Sequence, residues 1–173
     1  MTQPDRTLAG YTPDMSSGLG TVRSTDAFAA FVRPHWDGMA RLAHRLCGQD
    51  WEDVLQDALA LAWRTRDSYD ASRGTARTWL LTLVADQARK SRRRRRAAVD
   101  LVDEPSHEPD RDLDIERAVR SLSDRQRVAV ELFYFLDLPV AEIAIAMSCS
   151  TGTVKSTLSD ARARLRELLG GDR

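Results

Sequence analysis

Apolar residues recur three and four positions apart along two long segments of this chain, and neither shows the strict alternation of a half-buried strand. That periodicity restricts the fold to packed helices. Between the segments, Asp100 to Glu116 holds eight carboxylates together with Pro105 and Pro109, and little apolar material. So charged a stretch buries too little surface to offset the entropy of ordering it. The expected fold class is all-α: two small helical domains, residues 24–96 and 112–173, joined by a flexible acidic linker over 97–111, the C-terminal one a helix-turn-helix. Residues 1–23 are rich in Gly, Ser, Thr and Pro, have no apolar run, and read as a disordered leader, not a secretory signal. A length of 173 residues accommodates two such modules and excludes a large α/β barrel.

In the first segment Ser24-Thr25-Asp26 can cap a helix carrying Phe28, Phe31 and Val32, and Pro34 can open the next, with Met39, Leu42, Ala43 and Leu46 inward. Gly48 stops it. A long helix is expected from Asp50 through Trp63, with Val54, Leu55, Ala58, Leu61 and Ala62 as its apolar stripe. After a loop around Gly74, another begins near Thr75 and turns Trp79, Leu80, Leu83 and Val84 inward. In the second segment Leu113 to Leu122 makes a short helix, and Ser123-Asp124-Arg125-Gln126 is a capping box opening a helix through Leu136. Pro139 marks a fresh start. Val140 to Met147 is a two-turn helix, Ser148-Cys149-Ser150 the connection, and Thr151 to Leu169 the last helix, with Val154, Leu158, Ala161, Leu165 and Leu168 inward and Gly170-Gly171 ending it.

Formal net charge is zero, from 26 basic and 26 acidic residues, but the charges are segregated. Residues 24–96 carry 14 basic and 9 acidic groups, and residues 97–119 carry 2 and 8. Arg89 to Arg96 alone puts seven cations into eight residues. Six arginines and a lysine on adjacent turns repel one another, so a polyanionic partner explains the block better than a solvated helix end does; it could neutralise several phosphates. By itself it does not distinguish DNA from RNA or lipid phosphate.

A helix, a three-residue turn and a longer helix form the geometry of a helix-turn-helix, whose second helix enters the major groove. Its outward residues Thr153, Lys155, Ser156, Ser159 and Arg162 are small or cationic, which suits close approach to bases and phosphates. The same pattern also occurs in plain helical bundles. Upstream, Asp67 to Trp79 interleaves Tyr69 and Trp79 with Arg73, Arg77 and several hydroxyls, a composition that could hold unstacked bases. For Trp79 the core reading is favoured, because it stands at helical spacing from Leu83.

These motifs together resemble an extracytoplasmic-function (ECF) sigma factor, a two-domain promoter-recognition subunit of bacterial RNA polymerase. Glu52-Asp53-Val54-Leu55-Gln56-Asp57 followed by Ala62-Trp63-Arg64 is similar to the family's polymerase-clamp-binding helix, and Arg77-Thr78-Trp79-Leu80 to the start of its promoter-melting helix. Leu122 to Arg127, Val140 to Ala144 and Gly152 to Ser156 resemble its C-terminal domain in order and spacing. The resemblance implies that Asp53, Gln56 and Asp57 face core RNA polymerase at the β′ clamp, with the β subunit as a further partner. It implies that Tyr69, Arg73, Thr75, Arg77, Arg89, Lys90, Arg92 and Arg93 engage the melted −10 element of promoter DNA. Thr151, Thr153, Lys155, Ser156, Ser159 and Arg162 would read the −35 duplex. The acidic linker would thread near the active-site and RNA-exit channel, and an anti-sigma factor is a further partner the family implies. Ala85 and Asp86 stand where the family often has Asn or Arg, and Thr157 and Asp160 where arginines are common.

The main rival is a stand-alone helix-turn-helix regulator, which accounts for residues 120–169 but leaves the 67–79 loop and the arginine block without a purpose. An enzyme is not expected. His35 and His44 are read as lying on one early helix and His107 in the linker, so convergent acid, base and nucleophile positions are missing. His44 and Cys47 lie one turn apart, but no second ligand pair follows, so no metal or cofactor is expected. Cys47 and Cys149, with no CxxC, signal neither a disulfide scaffold nor a zinc site; Cys47 reads as a small core residue and Cys149 as a buried turn residue. A reducing cytoplasm is the expected location, nucleoid-associated when bound to polymerase, since no apolar run approaches the roughly 20 residues of a membrane span. Trp36, Trp51 and Trp63 are expected between the first and second helices, while Phe133, Tyr134 and Phe135, being successive, cannot share a face.

Overall fold

The computed structural model describes residues 24–99 and 111–170, and every regular element among them is helical. The N-terminal half holds α1 (Thr25–Val32), α2 (Trp36–Cys47), α3 (Trp51–Thr65) and α4 (Ala76–Val99); the C-terminal half holds α5 (Arg111–Arg120), α6 (Asp124–Val130), α7 (Val140–Ala146) and α8 (Thr151–Gly170). The leader and residues 100–110 lie outside the described residues, so α4 continues three residues past the expected start of the linker and α5 opens at its last position.

Local chemistry sets most boundaries. Ser24 caps α1, its Oγ accepting from the Ala27 N–H at 3.2 Å. Gly48 takes a left-handed φ of 58° and ends α2, its N–H donating to the His44 carbonyl. Thr75 caps α4 through the Thr78 N–H at 3.1 Å. The capping box at Ser123 is complete, with the Gln126 N–H on the Ser123 Oγ and the Gln126 side chain accepting from the Ser123 N–H.

Packing follows the expected stripes with four corrections. Met39, Leu42, Leu46, Val54, Leu55, Ala58, Leu80 and Val84 are buried where α2, α3 and α4 meet. Trp36 is not in that core. It is the first residue of α2, a turn before Met39, and stands 44% exposed at the rim. Leu168 is also exposed, because the last turns of α8 run beyond its final buried residue, Ala161. Thr157 is buried: it lies three residues after Val154 on the same face. His35 sits in the 3-10 turn Arg33–His35 ahead of α2, not on the helix of His44.

The expected helix from Asp124 through Leu136 is instead α6 followed by a π-helical turn, Glu131–Phe135, in which the Leu136 N–H donates to the Glu131 carbonyl at 3.2 Å. Phe133 is half-buried, Tyr134 and Phe135 are exposed, and Glu131 is buried. Three successive rings do have to diverge.

The buried side chains of the two halves form one continuous cluster. α7 packs on α4, and the π turn packs on α2. The two helical modules read from the sequence therefore share one packed core.

Candidate nucleic-acid interface

Pro139 is the N-cap of α7, and Ile143, Ala144 and Ala146 hold the helix against its neighbours. Ser148 ends it with a left-handed φ of 50°, which allows the Cys149 N–H to donate back to the Ala144 carbonyl at 2.9 Å. Ser150 then caps α8, its Oγ accepting from the Thr153 N–H at 3.1 Å. This turn fixes α7 and α8 as a helix-turn-helix. Val154, Leu158 and Ala161 face inward, so Thr151, Lys155, Ser156, Ser159 and Arg162 are exposed, and Thr153 is half-buried against Ser150. Arg162 is oriented by its Nε donating to the Tyr134 hydroxyl at 2.8 Å. The π turn thus supplies a partner for the outward helix, a contact that sequence spacing did not indicate.

In the loop between α3 and α4, Asp70 organises an Asx turn, accepting from the Ser72 N–H at 2.9 Å and the Ser72 hydroxyl at 2.7 Å. Those bonds hold its carboxyl below the ordinary carboxylate range. Tyr69 lies 5.4 Å from Trp79 and 5.7 Å from Phe31, ring centroid to centroid. Its hydroxyl is pushed up by burial and then by Asp70. Both aromatics of the loop therefore support each other and α1, while Arg73 and Thr75 are exposed. Burial, followed by the nearby Arg77 charge, lowers the pKa of His35 behind this cluster.

The cations expected to meet one strand of nucleic acid have different surroundings. Lys90 and Arg93 are exposed, and Arg89 pairs with Asp86 on its own helix. Arg77 instead donates to the Leu136 carbonyl at 2.7 Å, and Arg92 pairs with Asp124 at 3.0 Å. Both partners belong to the C-terminal half. Asp53, Gln56 and Asp57 are exposed together on the side of α3 opposite Val54, Leu55 and Ala58, with Arg94 loosely paired to Asp57 at 4.0 Å.

The seam between the halves has its own charge cluster. Arg45 pairs with Glu131 and lies 3.4 Å from the centroid of the Phe135 ring, and Arg127 donates to the Arg45 carbonyl. Burial raises the Glu131 pKa, a shift that Arg45 opposes. Burial also lowers the Arg127 pKa, and Arg92 acts in the same direction. Arg92, Arg95, Arg120 and Arg127 line a cleft of about 580 Å³ beside Cys47, whose thiol burial pushes up to about 11.

The arrangement is that of a two-module nucleic-acid reader: a helix-turn-helix with an outward basic helix, joined to a helical bundle bearing a loop and a run of arginines. Residues 31–98 match the family model for sigma-70 region 2, and residues 112–165 match that for sigma-70 region 4. The chain is 34% identical to the ECF RNA polymerase sigma factor SigK of Mycolicibacterium vanbaalenii, over 86% of this chain and 84% of that protein. It is 33% identical to SigK of Mycobacterium sp. (strain JLS), over 98% and 97%. Two solved structures share its fold. Sigma factor RpoE of Bartonella quintana, in complex with the anti-sigma factor NepR, superposes with a TM-score of 0.68 at 28% identity, covering 84% of this chain and 98% of that one. CnrH, in complex with the cytosolic domain of CnrY, gives 0.66 at 25%, covering 88% and 93%. This chain belongs to the ECF sigma factor family, whose members bind core RNA polymerase and promoter DNA and direct transcription initiation.

Proposed function

We propose the following division of labour within that activity. The exposed face of Asp53, Gln56 and Asp57 docks on the β′ clamp, and the C-terminal half lies toward the β subunit. The α8 residues Thr151, Thr153, Lys155, Ser156, Ser159 and Arg162 read the −35 duplex. Tyr69, Arg73, Thr75 and Arg77, with Arg89, Lys90, Arg92 and Arg93, take the separated −10 strand. The observation that carries this reading is the outward set Lys155, Ser156, Ser159 and Arg162 on the second helix of a helix-turn-helix, in the same chain as an aromatic and basic loop that opens α4 and a run of seven cations toward the other end of that helix. A stand-alone regulator leaves the second feature without a role.

The chain acts as an initiation factor without catalysis of its own, and it works in the cytoplasm. No helix among the described residues is long and apolar enough to cross a membrane. By likeness to sigma factor RpoE of Bartonella quintana, seen in complex with the anti-sigma factor NepR, an anti-sigma factor is its regulator. Run-off transcription with purified core polymerase on a promoter library tests the reading: defined start sites appear only when the chain is added. Transcripts identical with and without it would refute the proposal.

A further inference from the structure

Tyr134 belongs to neither the −10 nor the −35 set, yet it is tied to one of them. Its hydroxyl accepts from the Arg162 Nε at 2.8 Å, across 28 residues of chain. The ring stands edge-on to Phe133, with centroids 4.9 Å apart and an interplanar angle of 82°, while 48% of the residue stays exposed. The π turn allows this placement. Because the Leu136 N–H reaches back five residues to the Glu131 carbonyl instead of four, the turn holds one residue more than an α-helical one, and Glu131 and Leu132 are buried while Tyr134 meets α8.

That bond leaves donors unspent. Among the described residues, Arg162 has no partner besides Tyr134, so the terminal nitrogens of its fork are open, and the Tyr134 O–H has no acceptor. Arg164, two residues on, is instead paired with Glu167 at 3.1 Å. In a bidentate arginine pair two acceptor oxygens lie side by side along one edge of the guanidinium. The Tyr134 oxygen fills the place at Nε, and an oxygen filling the other would be within reach of the Tyr134 O–H. Position along the helix says which oxygen that is. Arg162 follows Lys155 and Ser159 on one exposed stripe, and it stands about 16 Å along the axis from Thr151, more than the roughly 12 Å width of a major groove. A side chain so far from the helix start meets the wall of the groove, which is phosphate.

We propose that Tyr134 and Arg162 form a clamp for one backbone phosphate at the edge of the −35 site, with Tyr134 both holding the guanidinium through Nε and donating its own O–H to the phosphate. This rests on the −35 reading of α8. A long cationic side chain loses rotamer freedom when it grips a phosphate, and an anchored one has already lost it, so the tyrosine raises affinity without adding charge. The contact touches no base edge and acts alike on all −35 sequences.

The test is fluorescence anisotropy of the full chain on −35 duplex. Tyr134→Phe keeps the ring against Phe133 and removes only the hydroxyl. Binding should weaken about fivefold with the thermal unfolding midpoint unchanged, because the lost group is exposed. Arg162→Ala should weaken it about tenfold, and in that background Tyr134→Phe should cost less than about twofold more, since a lone neutral hydroxyl gains little over water. A Tyr134→Phe chain that binds as the native one does overturns the clamp; so does an equal loss in both backgrounds. A second measurement leaves the protein untouched and replaces the duplex phosphates one at a time by neutral methylphosphonate. At one position the penalty seen with the native chain should fall about fivefold with Tyr134→Phe and be lost with Arg162→Ala. If both variants keep the native sensitivity at every position, the pair grips no phosphate. Lys155→Ala separates the two claims. If neither it nor Arg162→Ala weakens duplex binding, the −35 reading fails; if both do and Tyr134→Phe does not, the clamp alone fails.

Discussion

Glu131, buried in the π turn after α6, forms an ion pair with Arg45 of α2, 86 residues earlier in the sequence. The pair spans the seam, and Arg127 also lies close enough to act on the Glu131 charge, so removing the carboxylate leaves the Arg45 guanidinium without its acceptor and Arg127 without that counter-charge at the edge of a shared core. Glu131→Ala should therefore destabilise the chain by about 3 kcal/mol, read from urea unfolding. The pH dependence has a definite sign. Burial raises the folded pKa of Glu131, so its contribution is present below the ordinary carboxylate value and is lost as pH rises through the raised value. The stability of the native chain relative to Glu131→Gln should rise on acidification from neutral. A difference that is flat or falls would contradict the burial account.

Cys47 offers a probe of the same region. With its thiol pushed from 9.0 to about 11, the thiolate fraction near neutral pH is roughly a hundredfold lower than ordinary. Alkylation of the Cys47 peptide, followed by mass spectrometry, should be slower by about that factor in the folded chain than in urea, with the folded rate climbing toward pH 11. Equal rates at pH 8 would sink this.

Lys155 is exposed on the outward face of α8, and its cationic side chain suits a phosphate of the −35 duplex. Lys155→Ala should weaken −35 duplex binding across sequences and reduce the slope of log affinity against log salt by about 1. Fluorescence anisotropy over a salt series measures both. An unchanged slope would place Lys155 off the backbone.

Gln56 and Asp57 share an exposed face of α3, and Asp57 pairs loosely with the exposed Arg94 at 4.0 Å. Changing both to Ala should cost little stability but weaken association with core polymerase about tenfold or more, with −35 duplex binding intact. Retained polymerase affinity in a pull-down titration would move the docking face elsewhere.

The Ser123 capping box satisfies two backbone donors at the start of α6. Ser123→Ala should lower stability by about 1 kcal/mol, and Ser123→Asp should recover most of it. Thermal unfolding distinguishes this from a neutral surface change, which would shift neither variant.

Much of this was legible in the sequence because it is local. Caps at Ser24 and Ser123, the stop at Gly48 and the start after Pro139 depend on a few neighbouring residues, and each is found where the spacing put it. The exposed sides of α3 and α8 follow from helical period. The same period, applied strictly, would also have turned Thr157 inward. Helix ends were harder to read: Trp36 and Leu168 continue an apolar stripe past the point where anything packs over it.

The sequence by itself determined two helical modules, their family and the order of their motifs, because periodicity and capping act over a turn or two of chain. Only the tertiary structure decided that the modules share one core, that Glu131 is buried against Arg45, and that Arg77, Thr78 and Arg92 are held by residues more than thirty positions away. Such pairings carry no local signal. An arginine facing a phosphate and one facing a backbone carbonyl look the same in sequence, and the choice between them is made by which surfaces the fold brings within hydrogen-bond reach.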